Sequence, residues 1–98
     1  MITTKQRAFL RGIGATLEPV MQIGKEGVKE QSIVQIEGLF EARELIKIKV
    51  LQNCVEDPRD IADQIQKATN CEQIQVIGSK IVLYRRSKKK DIKHIQIP

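Results

Sequence analysis

The segment Leu45–Leu51 alternates strictly between apolar and basic residues in its middle, a pattern that predicts a β-strand. An isoleucine or valine at positions 46, 48 and 50 alternates with Lys47 and Lys49. Because successive side chains of a strand point to opposite faces, this spacing gives the segment one apolar face and one basic face. We therefore predict a half-buried strand that exposes Lys47 and Lys49 to solvent.

Three helices and three further strands are predicted around this strand. Helical spacing of apolar residues covers about 5–17 and from 28 or 29 to 43, and a third helix begins at Asp57 and Pro58 and stops at Asn70. Short apolar or alternating runs predict strands at 20–23, 73–77 and 80–85, with a Gly-Ser hairpin turn at 78–79. The resulting order is α-β-α-β-α-β-β.

This order predicts a single compact α/β domain with a four-stranded mixed sheet. Strands separated by helices pair in parallel or through crossovers, whereas the final hairpin pairs antiparallel. A chain of 98 residues with 41% apolar residues suits one globular domain. We predict the domain over residues 1–87, followed by a basic tail at 88–98 that extends from the core.

The composition excludes several classes of protein. No run of 18 apolar residues could span a membrane, and the N-terminus lacks the apolar stretch of a secretory signal, so we expect a cytoplasmic protein. Two isolated cysteines, Cys54 and Cys71, and one histidine are too few for a structural zinc site, and we expect free thiols. Neither a metal nor a cofactor is predicted.

The positive charge is concentrated at the C-terminal end. Residues 1–84 carry eleven Lys or Arg and eleven Asp or Glu, whereas residues 85–98 carry six basic residues and one acid. The net charge of +5 therefore belongs entirely to the last strand and the tail. Such a tail is typical of nucleic-acid-binding proteins, although many tails are lysine-rich for solubility alone.

The loop Gly24-Lys25-Glu26-Gly27 lies between a predicted strand and a predicted helix. Two glycines allow a ligand to approach the backbone closely, and the amides at the start of the helix favour an anion. A loop of the form GxxG can hold a nucleic-acid backbone, but an ordinary strand-to-helix turn has the same composition. The loop matches neither GxGxxG nor a Walker motif, so no nucleotide cofactor is expected.

Three further basic features accompany this loop. Arg7 and Arg11 lie one turn apart on the first helix, Lys47 and Lys49 share a strand face, and Arg85 begins the basic end of the chain. Together with the loop they favour binding to phosphates. With only three aromatic residues, two of them expected in the core, base stacking is disfavoured and sequence specificity should be weak.

Two other functions are alternatives to nucleic-acid binding. The second helix carries an acidic stripe, Glu30, Glu37, Glu41 and Glu44, which would suit a protein-interaction adaptor. Catalysis has little support, because His94 stands alone in the tail as an exposed residue and the clustered carboxylates near Asp57 decorate a helix start. We expect neither an enzyme nor a small-molecule substrate.

Several ordered blocks resemble the CRM domain, the domain of chloroplast RNA splicing and ribosome maturation proteins. The resemblance spans about residues 1–87 and is closest to the single-domain bacterial members, which are called YhbY-like. The matching blocks are Thr4-Lys5-Gln6-Arg7-Ala8-Phe9-Leu10-Arg11, Pro19-Val20 with Gly24-Lys25-Glu26-Gly27, Glu44-Leu45-Ile46-Lys47-Ile48-Lys49-Val50, Val76-Ile77-Gly78 and Leu83-Tyr84-Arg85.

The resemblance implies a fold like that of the C-terminal domain of translation initiation factor three. It also implies RNA binding through the GxxG loop and nearby basic residues, and association with precursors of the large ribosomal subunit. We expect the protein to be a monomer. The RNA-binding residues expected on this basis are Gly24, Lys25, Glu26, Gly27, Arg7, Arg11, Lys47, Lys49 and Arg85. Two departures stand out: Glu26 puts an acid in the loop, and Ser79 occupies a turn position that is often basic in the family.

Overall fold

The computed structural model describes residues 2–98 and confirms the predicted order of elements. The initial Met1, which belongs to the predicted domain, lies outside the described residues. The helices and strands are α1 (Thr4–Gly14), β1 (Met21–Ile23), α2 (Glu30–Arg43), β2 (Leu45–Val50), α3 (Pro58–Thr69), β3 (Glu72–Ile77) and β4 (Lys80–Tyr84).

The four strands form one mixed sheet in the order β1-β2-β4-β3. β1 runs parallel to β2, and β4 runs antiparallel to both β2 and β3. This arrangement confirms the predicted mixed sheet and hairpin. It also places the end of β1, the end of β2 and the start of β4 together at one end of the sheet, which we call the loop end.

The helix boundaries follow from their capping residues. Thr3 accepts a hydrogen bond from the Gln6 backbone N–H at 3.1 Å, and the Gln6 side chain accepts one from the Thr3 N–H at 2.9 Å, which forms a capping box at the start of α1. α1 ends at Gly14 rather than at the predicted Leu17. A Cβ at Gly14 would lie only 2.8 Å from the Val82 side chain, so the glycine allows α1 to approach β4 closely.

One face of the sheet carries the main core. Phe40 from α2 and Ile61 and Ile65 from α3 are fully buried against Ile48 and Ile81 of the central strands. These helices supply the apolar side chains at helical spacing that the sequence predicted. The radius of gyration, 12.8 Å, is that of a compact domain of about 100 residues.

The opposite face of the sheet, which we call the α1 face, is covered as well. Leu10 of α1 packs against Leu45, Val82 and Tyr84, and Ile95 from the C-terminal tail packs at the margin of this second core. The prediction that the basic side of β2 faces solvent is therefore wrong for Lys47, which is 8% exposed. Alternation correctly separates the two faces of a strand, but it does not report that a helix covers the second one.

The tail does not extend from the core as predicted. The Glu44 carboxylate accepts hydrogen bonds from the backbone N–H groups of Ser87 at 2.8 Å and Ile95 at 2.7 Å, and it lies 2.6 Å from Nδ1 of His94. His94 is therefore not the exposed tail residue that was expected. The boundary between the domain and the tail at residue 87 stays a prediction.

The acidic stripe of α2 is also different from the prediction. Glu44 lies just beyond the helix with φ at 66° and is completely buried. Glu37 and Glu41 form ion pairs with Arg85. Glu30 is the one member of the predicted stripe that is exposed and has no ion pair in the described chain, so the stripe is not a free acidic surface.

Within residues 2–98, no helix has the length and apolar character required to cross a membrane. Cys54 and Cys71 are free thiols, as expected, and burial raises the pKa of Cys71. In the same part of the chain, His, Cys, Asp and Glu residues form no group that could hold a metal ion.

Candidate nucleic-acid interface

The GxxG loop, residues 24–27, connects β1 to α2 at the loop end of the sheet. It closes as a tight turn in which the Gly27 N–H donates a hydrogen bond to the Gly24 carbonyl at 3.0 Å. Gly27 has φ at +69°, a conformation that L side chains rarely adopt. A Cβ there would also lie 3.2 Å from Oε1 of Glu56. The loop therefore depends on glycine at position 27.

Of the two charged residues in this loop, one has an ion-pair partner and the other has none within residues 2–98. Lys25 is exposed and forms no ion pair within residues 2–98. Glu26 is paired with Lys29 of the following turn, and the hydrogen bond from Lys29 lowers the pKa of Glu26. The acid that departs from the family pattern is thus neutralised by a neighbour, and Lys25 is left as the unpaired charge at the tip.

The α1 face brings two lysines together beside the loop. The strand register places Gln22 of β1 next to Lys49, and Lys49 directly opposite Lys80 of β4. Like charges directly opposite each other in an antiparallel pair are destabilising. A protein that retains this pair of lysines tolerates a local loss of stability. Unfavourable local arrangements of this kind are expected mainly at functional or strained sites.

A basic pocket of about 540 Å³ lies between α1 and the sheet. Arg11, Lys47 and Lys80 line it, and its lining includes no carboxylate. Lys47 buries its aliphatic stem, but its ammonium group keeps contact with solvent, because Arg85 Nε is the one unpartnered side-chain nitrogen or oxygen that is fully buried among residues 2–98. The pocket therefore concentrates three positive charges where an anion can reach them.

The structure separates Arg7 and Arg85 from this group of residues. Arg7 donates a hydrogen bond to the Gln73 carbonyl and lies 3.8 Å from the Glu72 carboxylate. Both Glu72 and Arg85 lie at the end of the sheet opposite the GxxG loop, where β3 begins and β4 ends.

Arg85 is held in place by four partners. Its guanidinium donates a hydrogen bond to the Thr69 carbonyl at 2.9 Å, lies 3.4 Å from the carboxylates of Glu37 and Glu41, and stacks 5.2 Å from the centre of the Phe40 ring. A guanidinium with these contacts ties α2 and α3 to the end of β4. We therefore leave Arg7 and Arg85 out of the interface described below.

Lys80 is the basic residue that the sequence interpretation missed. It follows the predicted hairpin turn directly, so the register of the hairpin and its pairing with β2 decide what it faces. A signal was present, since the first residue after a tight turn lies near the end of its strand and close to other loops. The sequence does not reveal, however, that β4 lies next to β2 rather than at the edge of the sheet.

Comparison with known proteins agrees with the fold. The family model of the CRS1/YhbY (CRM) domain matches residues 2–85. YqeI of Bacillus subtilis, named a probable RNA-binding protein, is 47% identical over 98 residues, which is 100% of both chains. A protein of Haemophilus influenzae named RNA-binding protein is 37% identical and is matched over 93% of this chain and 92% of its own length.

A solved structure is similar over the whole chain. The solution structure of the hypothetical protein SAV1595 from Staphylococcus aureus superposes with a TM-score of 0.81 at 46% sequence identity. The match covers 100% of each chain. The overall fold is thus shared with an independently determined structure.

Proposed function

Because the chain belongs to the CRS1/YhbY (CRM) domain family, we propose that it binds RNA through the GxxG loop and the cations beside it. The observation that carries this proposal is the pocket lined by Arg11, Lys47 and Lys80 without a carboxylate. Lys25 at the loop tip and Lys49 opposite Lys80 extend the same basic surface. The names of the two relatives support RNA as the ligand.

The RNA that we propose is ribosomal, in precursors of the large subunit. The protein would act there by binding, as a monomer in the cytoplasm and without catalysis. A surface of this kind contacts mainly phosphates, and such contacts position an RNA without identifying its sequence. Assembly particles, in which folded RNA presents closely spaced phosphates, suit that mode of binding.

We do not propose the alternative function, a protein-interaction adaptor. It required a free acidic face on α2, but Glu37 and Glu41 are paired with Arg85, and Glu44 is buried. RNA binding is therefore the one function that we propose.

The direct test compares Gly27→Asp with Gly38→Asp in an RNA-binding assay. Gly38 lies on the exposed side of α2, with nothing within 4 Å of a Cβ, so Gly38→Asp adds the same charge away from the loop. We expect Gly27→Asp to weaken binding at least tenfold and Gly38→Asp to leave it within about twofold, with native circular dichroism for both. Equal affinities in the two variants would contradict a role for the loop.

The ribosomal part needs a separate measurement. The tagged protein is followed across a sucrose gradient of a low-salt lysate from growing cells. We expect it to migrate with particles at or just below the large subunit and to leave them in high salt. Protein found only at the top of the gradient would contradict the ribosomal role and leave RNA binding itself in place.

A further inference from the structure

A polar cleft lies on the other side of the GxxG loop from the basic pocket. It has a volume of about 600 Å³ and runs between β1, the loop and the first half of α2. β1 is an edge strand, and no other described strand pairs with its outer side. The cleft is therefore an open groove that begins where the phosphate-binding loop ends.

Side-chain amides line this groove. Gln31 and Gln35 lie one helical turn apart on α2, so two carboxamides border one space. Both glutamines are exposed, and neither makes a side-chain hydrogen bond within residues 2–98. The amides are therefore free to bind a ligand.

The chemistry of these amides suits nucleobases. A carboxamide donates and accepts on adjacent atoms, which complements the neighbouring donor and acceptor on the edge of a base, as in the bidentate contact of glutamine with adenine. The edges of bases are available only where a base is unpaired. No aromatic side chain lines the cleft among residues 2–98, so recognition there would rest on hydrogen bonds rather than on stacking.

We propose that the groove between β1 and α2 receives unpaired bases of a single-stranded RNA segment, whose phosphates are held by the GxxG loop. Lys25 at the mouth of the groove supplies an unpaired positive charge, whereas the charge of Lys29 is balanced by Glu26. A volume of about 600 Å³ lies within the roughly 300–1,000 Å³ of typical small-ligand sites, enough for a nucleotide. This inference rests on the proposed RNA binding and adds a preference for strandedness and base.

The test uses the full chain, a short single-stranded RNA, its perfect duplex, and four homopolymers of equal length. We expect the unmodified protein to bind the single strand at least fivefold more tightly than the duplex and to distinguish the homopolymers. The double variant Gln31→Ala with Gln35→Ala should lose both preferences and keep most of its affinity for the duplex. Gln96→Ala, an exposed glutamine of the tail, is the matched control and should keep both.

The possible failures are distinguishable. If the unmodified protein binds no RNA, the proposed function itself is overturned. If it binds RNA but treats single strand and duplex alike, or if the double variant keeps the preferences, the groove proposal is overturned while the loop remains supported by the Gly27→Asp comparison.

Discussion

Arg85 shows how a basic residue can be structural although it lies in a basic stretch of sequence. Its guanidinium holds the ends of α2, α3 and β4 together through Thr69, Glu37 and Glu41. The next residue, Arg86, is exposed and makes no ion pair within the described chain. The two arginines thus form a natural pair for comparison.

Replacing Arg85 with alanine should lower the free energy of unfolding by about 2 kcal/mol, because it leaves two carboxylates and a carbonyl without their partner and removes the contact with Phe40. Arg86→Ala should change it by less than about 0.5 kcal/mol. Urea unfolding measures both, and RNA affinity measured in parallel should be unaffected by Arg85→Ala. A loss of RNA affinity without a loss of stability would mean that Arg85 belongs to the RNA interface.

Glu44 combines a strained backbone with a buried charge. A φ of 66° in a residue other than glycine costs of order 1–3 kcal/mol. Burial raises the pKa of its carboxyl group, but hydrogen bonds from His94, Ile95 and Ser87 outweigh burial and hold the pKa below its ordinary value. The charged carboxylate therefore stabilises the folded state.

The sign of this pKa change predicts a pH dependence. A lowered pKa contributes stability that is present above the unfolded-state pKa of about 4.3 and is lost as the pH falls through the folded-state value. Glu44→Gln should therefore lower the free energy of unfolding by about 3 kcal/mol at pH 7. The difference between the variant and the unmodified protein should shrink towards pH 3 in urea titrations, and a constant difference would contradict the argument.

At the level of elements, the C-terminal tail acts as part of the second core. It returns to the sheet so that Ile95 packs near Leu45 and Tyr84, and the Pro98 carbonyl accepts a hydrogen bond from the Gln6 side chain at 3.1 Å. Its cations, by contrast, are exposed at positions 88–90. The tail therefore contributes to stability through its last residues and to charge through its first.

A substitution in the tail separates these contributions. Ile95→Asp places a charge against the apolar α1 face and should lower the free energy of unfolding by about 2 kcal/mol, which corresponds to a fall in Tm of roughly 10 °C. Gln96→Asp adds the same charge at an exposed position and should leave the Tm nearly unchanged. Calorimetry compares the two, and equal melting temperatures would mean that the tail is not docked in solution.

Across the whole molecule, the two ends of the sheet differ in whether their basic residues form ion pairs. At the far end, Arg7 and Arg85 are paired with acids of the same chain. At the loop end, Lys25, Lys49 and Lys80 form no ion pairs within residues 2–98. The loop end thus carries unpaired positive charge at the proposed RNA site, although exposed cations also follow β4 at Arg86 and at positions 88–90.

The unpaired cations of the loop end predict the salt dependence of binding. Each phosphate contact contributes about −0.7 to the slope of log affinity against log salt for single strands. Five contacts, by Arg11, Lys25, Lys47, Lys49 and Lys80, therefore give a slope of about −3.5. Lys80→Ala should reduce the slope by about 0.7, and Lys67→Ala, an exposed lysine of α3, should not change it. Fluorescence anisotropy across a salt series measures these slopes, and identical slopes in the two variants would remove Lys80 from the interface.

Local patterns in the sequence were enough to predict most of the fold. The Asp57 cap with Pro58, the stop at Asn70 and the hairpin at residues 78–79 each depend on residues a few positions apart, and all were predicted correctly. The position of residues 24–27 between a strand and a helix was also predicted correctly, whereas RNA binding by this loop stays a prediction. Caps and turns of this kind depend on residues that are close together in the chain, so they can be predicted from the sequence alone.

Only the tertiary structure decided which charges are available. Lys47 exposes little more than its ammonium group because α1 crosses its face. Arg85 is held by helices that come from two other parts of the chain, and Lys80 joins Lys49 because β4 lies next to β2. Glu44 is buried because a tail about 50 residues later returns to it. Each of these contacts joins residues that are distant in the chain, so side chains with the same local sequence pattern have different surroundings once the chain has folded.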